Sequence, residues 1–287
     1  MPDYAYRLVN VFARPAEPFS GNPLCVFEAA SGLDERTMQA LALQFNLSET
    51  TFVLPSERAS ARVRIFTPSF EMPFAGHPTL GTAHVLRALL AESGKRSDEV
   101  TLELKAGIIP VHAEGDRWTL RANAAKTRPV QATRAELAAM LGLQVSDIGE
   151  PALWVDTGSD QLLVPVTSAA ALERCQPSSE LLQRHGCVHE GRYLVYAFAH
   201  ATSERVHARM FFNKGTSVIE DPATGSASAN LGGYLVQTGA SKPIVRSIEQ
   251  GVHVGRQCEL HLEIDAENRS LVSGLVFEIA RGSVRLP

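Results

Sequence analysis

Glu49 lies in Ser48-Glu49-Thr50-Thr51, where a helical pattern gives way to a strand pattern. Strand alternation sets it on one face with Thr51 and Val53, with Phe52 and Leu54 on the other. A glutamate so placed has two readings. It is a solvated loop acid, or it points into a closed cleft. There, desolvation raises its pKa toward the range that suits proton transfer to and from carbon at neutral pH. Two more titratable residues stand beside glycine loops. His77 follows Gly76 in "FAGHPTLGTAHVL", and Asp221 precedes Gly225 and Ser226 in "EDPATGSASANLGGYL". Each loop opens a run of small residues: Gly81, Thr82 and Ala83 in the first, Ala227, Ala229, Gly232 and Gly233 in the second.

A glycine inside a helix costs about 0.5–1 kcal/mol relative to alanine. Burial against surrounding backbone offsets that, so both runs are read as central helices wrapped by sheet. The first is apolar on most faces (Leu80, Ala83, Val85, Leu86, Leu89, Leu90), as all-round burial requires. Pro78 is expected just inside the first helix start, with Pro222 doing similar work in the second. Two helix N-termini facing across a cleft would hold a carboxylate through free N–H groups and the positive dipole ends. The bland alternative is a packing motif with ordinary caps. Neither loop matches the P-loop or the dinucleotide fingerprint, and no G-x-S-x-G elbow occurs.

The elements that must position these residues recur. "YRLVNVFA", "FSGNPLCVFE", the amphipathic helix in "LDERTMQALALQFN" and the strands in "SETTFVLP" and "ARVRIFTP" lead to the first glycine loop. Asp34 and Asn46 are the expected caps of that helix. Past Arg128-Pro129 the order restarts. "TRAELAAMLGL" is a helix capped by Thr133 and stopped near Gly142, and "ALWVDTGSDQLLVPV" is strand, turn, strand. "SSELLQRHG" is a helix, and two further strands precede the second loop. The repetition predicts an α+β protein of two pseudo-symmetric lobes, residues 1–127 and 128–287, with the last strand able to cross back to the first.

"NLSETTFV", "PFAGHPTLGTA" and "EDPATGSA", in that order after "FSGNPLCVF", resemble the PhzF family of phenazine-biosynthesis-type isomerases over essentially the whole chain. The resemblance implies the diaminopimelate epimerase-like fold, with each lobe a curved, mostly antiparallel sheet around a central helix. It also implies a homodimer, a biosynthetic role and no cofactor. It makes Glu49 the general acid/base, has His77 and Asp221 bind the substrate's polar groups, and has Gly76, Gly225 and Ser226 donate hydrogen bonds to its carboxylate. The implied activity is an isomerisation of the trans-2,3-dihydro-3-hydroxyanthranilate type on a small carboxylate. Two alternatives stand beside it: an amino- or hydroxy-acid epimerase or racemase on the same fold, and a non-catalytic small-acid-binding protein. Neither glycine loop holds a cysteine, which argues against a two-cysteine racemase.

Composition narrows the rest. A chain of 287 residues with 45% hydrophobic content has material for sizeable cores, and a net charge of -4 gives no reason to expect nucleic acid or an anionic membrane. No apolar run approaches the ~18 residues of a span. Asp3 and Arg7 interrupt the opening apolar stretch, so no secretory signal is expected and the setting is read as cytoplasmic, with Cys25, Cys175, Cys187 and Cys258 reduced. His185, Cys187 and His189 would share a face if they lay on one strand; without a second ligand cluster no metal is assigned. His84 is read as a hydrogen-bonded structural histidine, Trp118 and Trp154 as packing residues.

Overall fold

The computed structural model describes residues 2–95 and 97–286. The chain forms two compact units. One gathers the chain as far as Leu120 with the segment from Ser273 onward; the other runs Arg121–Val272. The final strand, Ser270–Arg285, starts in the second unit and continues into the first, where it pairs antiparallel with the opening strand Asp3–Ala13.

In the first unit Asp3–Ala13 also pairs antiparallel with Asn22–Phe27, which runs parallel to Glu49–Leu54. Ala61–Phe66 continues the sheet antiparallel, then Glu99–Leu104 parallel and Gly107–Glu114 antiparallel. The sheet packs on the helix Gly76–Glu92, in which every residue from Gly76 to Ala83 is buried. Gly81 is required by contact: a Cβ there would stand 2.6 Å from Leu24 Cδ2 and 2.8 Å from Val11 Cγ2. The opposite sheet face is covered by the helix Glu35–Phe45. Asp34 caps its start, and Asn46 ends it in the left-handed conformation. Met38, Leu41 and Ala42 from that helix pack with Cys25, Phe27, Phe52 and Phe66.

The second unit repeats the plan with Lys126–Pro129, Leu153–Asp156 and Asp160–Pro165, then Arg192–His200 parallel to the last of these. Arg205–Lys214, Val245–Gln250 and Cys258–Ile264 complete it. Its central helix is Gly225–Gln237, buried from Ala227 to Leu235. At Gly232 a Cβ would fall 2.2 Å from Ser270 Oγ. The outer face carries the helices Arg134–Leu141, with a complete Thr133–Glu136 capping box, Ala169–Glu173 and Ser179–His185. Each unit is therefore a sheet around a central helix, the diaminopimelate epimerase-like fold. Among the described residues no helix is long and apolar enough to cross a membrane.

Two local expectations need correction. Pro78 is the third residue of its helix, but Pro222 lies outside the second, which begins only at Gly225. A proline that early leaves room for Ala223 and Thr224 to turn the chain after the strand Ser217–Asp221. His185 closes a helix while Cys187 and His189 belong to the strand Cys187–His189, so the three do not share a strand face. His84 accepts a hydrogen bond from Trp118 Nε1 at 3.2 Å, and both tryptophans are buried.

Candidate active site

Glu49 is the first residue of its strand. Two residues on, Thr51 Oγ1 lies 2.8 Å from Thr82 Oγ1 of the central helix, while Phe52 packs toward the outer helix. Pleating therefore sets Glu49 on the central-helix side. Its side chain is 14% exposed, and Oε2 lies 3.3 Å from His77 Nε2. The approach lacks hydrogen-bond alignment and is an electrostatic contact at this geometry. His77 is the second residue of its helix. Burial is the main influence on its imidazole and lowers the pKa to about 3; a hydrogen bond to the Pro23 backbone pulls weakly the other way. With Nε2 turned to Glu49, Nδ1–H is the group that serves the Pro23 carbonyl, and the neutral ring presents the Nε2 lone pair to the carboxyl.

The second unit holds Asp221, Gly225 and Ser226. Glu220 and Asp221 are neighbours on one strand, and alternation separates their tasks. Glu220 is tied to Arg209 at 2.7 Å, and Arg209 also donates to the carbonyls of Leu172, Glu173 and Cys175. Asp221 turns to the other side, where its Oδ2 accepts from Thr224 Oγ1 at 2.5 Å. Gln250 braces this turn: its Nε2 donates to the Asp221 carbonyl at 2.8 Å and to Thr224 Oγ1 at 3.0 Å, and its Oε1 accepts from Thr224 N at 3.3 Å. Thr224 has one proton, and with a donor on one side it goes to Asp221.

Neither central helix has a side-chain cap at its start, Ala75 and Thr224 making none. The backbone N–H groups of Gly76 and His77, and of Gly225 and Ser226, are the first-turn donors that no i−4 carbonyl serves. Sequence reasoning brought Glu49, His77 and Gly76 forward, and the fold gathers them in the first unit; Asp221, Gly225 and Ser226 are gathered in the second. It missed Gln250, Gln161 and Asn230, all buried. Asn230 carried a signal: it is the one amide in a run of small and apolar residues assigned to a buried helix, where it must find partners.

The family model for phenazine biosynthesis-like proteins (PhzC-PhzF) matches residues 9–276. The chain is 38% identical over 287 residues to an uncharacterized isomerase of Pasteurella multocida, covering 99% of this chain and 95% of that one. It is 36% identical over 266 residues to the trans-2,3-dihydro-3-hydroxyanthranilate isomerase of Pseudomonas aeruginosa, covering 90% and 89%. Among solved structures, a phenazine biosynthesis protein of the PhzF family from Bacillus anthracis superposes with a TM-score of 0.84 at 28% identity, covering 100% of both chains.

Proposed function

Because the chain belongs to the phenazine biosynthesis-like (PhzC-PhzF) family and is an isomerase of that family, we propose that it moves one proton between two carbons of a small carboxylate substrate without a cofactor, with Glu49 as the group that carries it. The Glu49–His77 contact supports this most directly. The Glu49 carboxylate takes a proton as a C–H bond breaks, and the electron pair shifts along the substrate. The resulting carboxylic acid returns the proton to a second carbon, so nothing is gained or lost overall. Between the two steps the neutral His77 offers its Nε2 lone pair to the protonated carboxyl, which holds the acid in place without competing for a full charge.

Asp221 binds and orients a polar group of the substrate, with its carboxylate held by Thr224, which Gln250 braces in turn. Gly76, Gly225 and Ser226 donate to the substrate's carboxylate. The substrate class is that of trans-2,3-dihydro-3-hydroxyanthranilate, on which the Pseudomonas aeruginosa relative is named as acting. The reading extends to a homodimer with a biosynthetic role, which rests on the family resemblance, and to a cytoplasmic setting, which rests on the opening stretch and the scattered cysteines.

Small carboxylic acids incubated with the protein in heavy water are expected to gain carbon-bound deuterium, and Glu49→Gln to abolish that gain while leaving the circular dichroism spectrum unchanged. Exchange retained by Glu49→Gln would remove Glu49 from its role. A double-bond shift changes ultraviolet absorbance, whereas epimerisation changes optical rotation alone, so the same incubation separates those outcomes.

A further inference from the structure

A chain of buried amides leads to Ser226, and its polarity is dictated by backbone. Asn230, fully buried on the central helix of the second unit, accepts at Oδ1 from Thr157 N at 2.9 Å and Thr157 Oγ1 at 2.6 Å. A backbone N–H can only donate, so the oxygen of that amide must face it. Its Nδ2 donates to the Ser159 carbonyl at 2.8 Å, and a carbonyl can only accept, so both ends of the amide are fixed by chemistry. Nδ2 also donates to Gln161 Oε1 at 2.8 Å. Gln161 is 1% exposed and thereby oriented in turn, with Nε2 turned to Ser226 Oγ at 3.0 Å. An amide nitrogen accepts nothing. The Ser226 oxygen is therefore the acceptor in this contact, and its single proton must point elsewhere.

We propose that Gln161 is a positioning residue which, held by Asn230, makes the Ser226 hydroxyl a standing hydrogen-bond donor toward an acceptor oxygen of the substrate's carboxylate. The proposal rests on the reading of Ser226 as a substrate-binding residue and adds what sets its direction. Ser226 is half-buried at the second position of its helix, so the outward proton and the first-turn N–H groups present donors of one sign. An ordinary serine rotates its hydroxyl to suit either a donor or an acceptor. Here rotation toward Gln161 is blocked, so the proton stays available to a carboxylate oxygen.

Gln161→Glu tests this without changing shape. An ionised carboxylate at that position accepts from Ser226 and draws the proton inward, whereas its protonated form donates as the glutamine does. The probe is 3-hydroxyanthranilate, titrated calorimetrically from about pH 5 to about pH 8. Ser226→Ala is expected to weaken binding about tenfold. Gln161→Glu should approach that loss at high pH and recover toward wild type at low pH, beyond any pH effect on the wild type. The double variant should be no weaker than Ser226→Ala alone. Additive losses, a loss independent of pH, or no binding of the probe by wild type would each overturn the proposal.

Should Gln161→Glu not fold, neutron diffraction from deuterium-exchanged wild-type crystals decides. A deuteron on Ser226 Oγ directed away from Gln161 supports the assignment, and one directed at Gln161 removes it. A protein that shows this binding pattern yet exchanges no carbon-bound deuterium keeps Gln161 in its role and loses the isomerase mechanism, so the two readings fail separately.

Discussion

His77 is neutral in the fold down to about pH 3, while in an unfolded chain its imidazole takes a proton near 6.5. Between those values the unfolded chain binds more protons than the native one, so this residue makes stability fall as pH drops. The slope approaches about 1.4 kcal/mol per pH unit. His77→Asn is expected to flatten the fall in urea midpoint between about pH 6 and pH 4, and an unchanged slope would place the imidazole in a wetter setting. The neighbouring acids of the second unit give a contrasting pair. Glu220→Gln strips a buried guanidinium of its carboxylate and should destabilise by about 3 kcal/mol, with turnover per folded molecule kept. Asp221→Asn should do the reverse: little change in the urea midpoint and a loss of turnover. Urea titration beside an activity assay reads both.

At the scale of elements, the central helices are held by contact rather than by propensity. Gly81→Ala gains up to about 1 kcal/mol of helix propensity but drives a methyl into Leu24 and Val11, where overpacking costs about 1–3 kcal/mol. The net expectation is a lower urea midpoint, and a higher one would mean the surrounding sheet gives way easily. The burial of these helices was legible in their small residues, since nothing else offsets so much glycine. The outer helices were legible from Asp34, Asn46, Thr133 and Gly142, because caps act within a few residues of where they stand. Ala169–Glu173 was not, being too short to show a period. Pro222 misled because a proline before a turn and a proline at a helix start look alike in sequence. Of the site, the titratable residues beside glycine could be picked out locally. Gln161 and Gln250 could not, since their partners stand 65 and 26 residues away and only the fold brings them near.

For the molecule as a whole, one buried cation joins distant parts of the first unit. Arg7, 1% exposed, meets Glu28 at 2.6 Å, Glu92 at 3.1 Å and Glu278 at 3.1 Å. It thereby connects the opening strand, the segment after the second strand, the end of the central helix and the closing strand. Glu278 shows the balance: burial alone would raise its carboxyl, but Arg281 and Arg7 outweigh burial and hold it below the usual carboxylate range. Arg7→Met should leave three carboxylates facing a gap and cost about 3–5 kcal/mol, read as a loss in urea midpoint at neutral pH. Acid should narrow the difference between variant and wild type, because protonating the three glutamates removes both the attraction and the repulsion.

His77 and Ser226 each occupy the second place of a helix that cannot accept one more carbon at its crowded glycine, and each is held from a strand outside that helix, by the Pro23 carbonyl and by the Gln161 amide. A carbonyl in one half and an amide N–H in the other leave the first residue a hydrogen-bond acceptor and the second a donor. For descent this separates frame from specificity. The helices are closed to drift in size, whereas the sign of what each half presents hangs on a single polar contact. New substrates are therefore most accessible to this scaffold by exchanging donor for acceptor at a strand position, with the packing of both halves left as it stands.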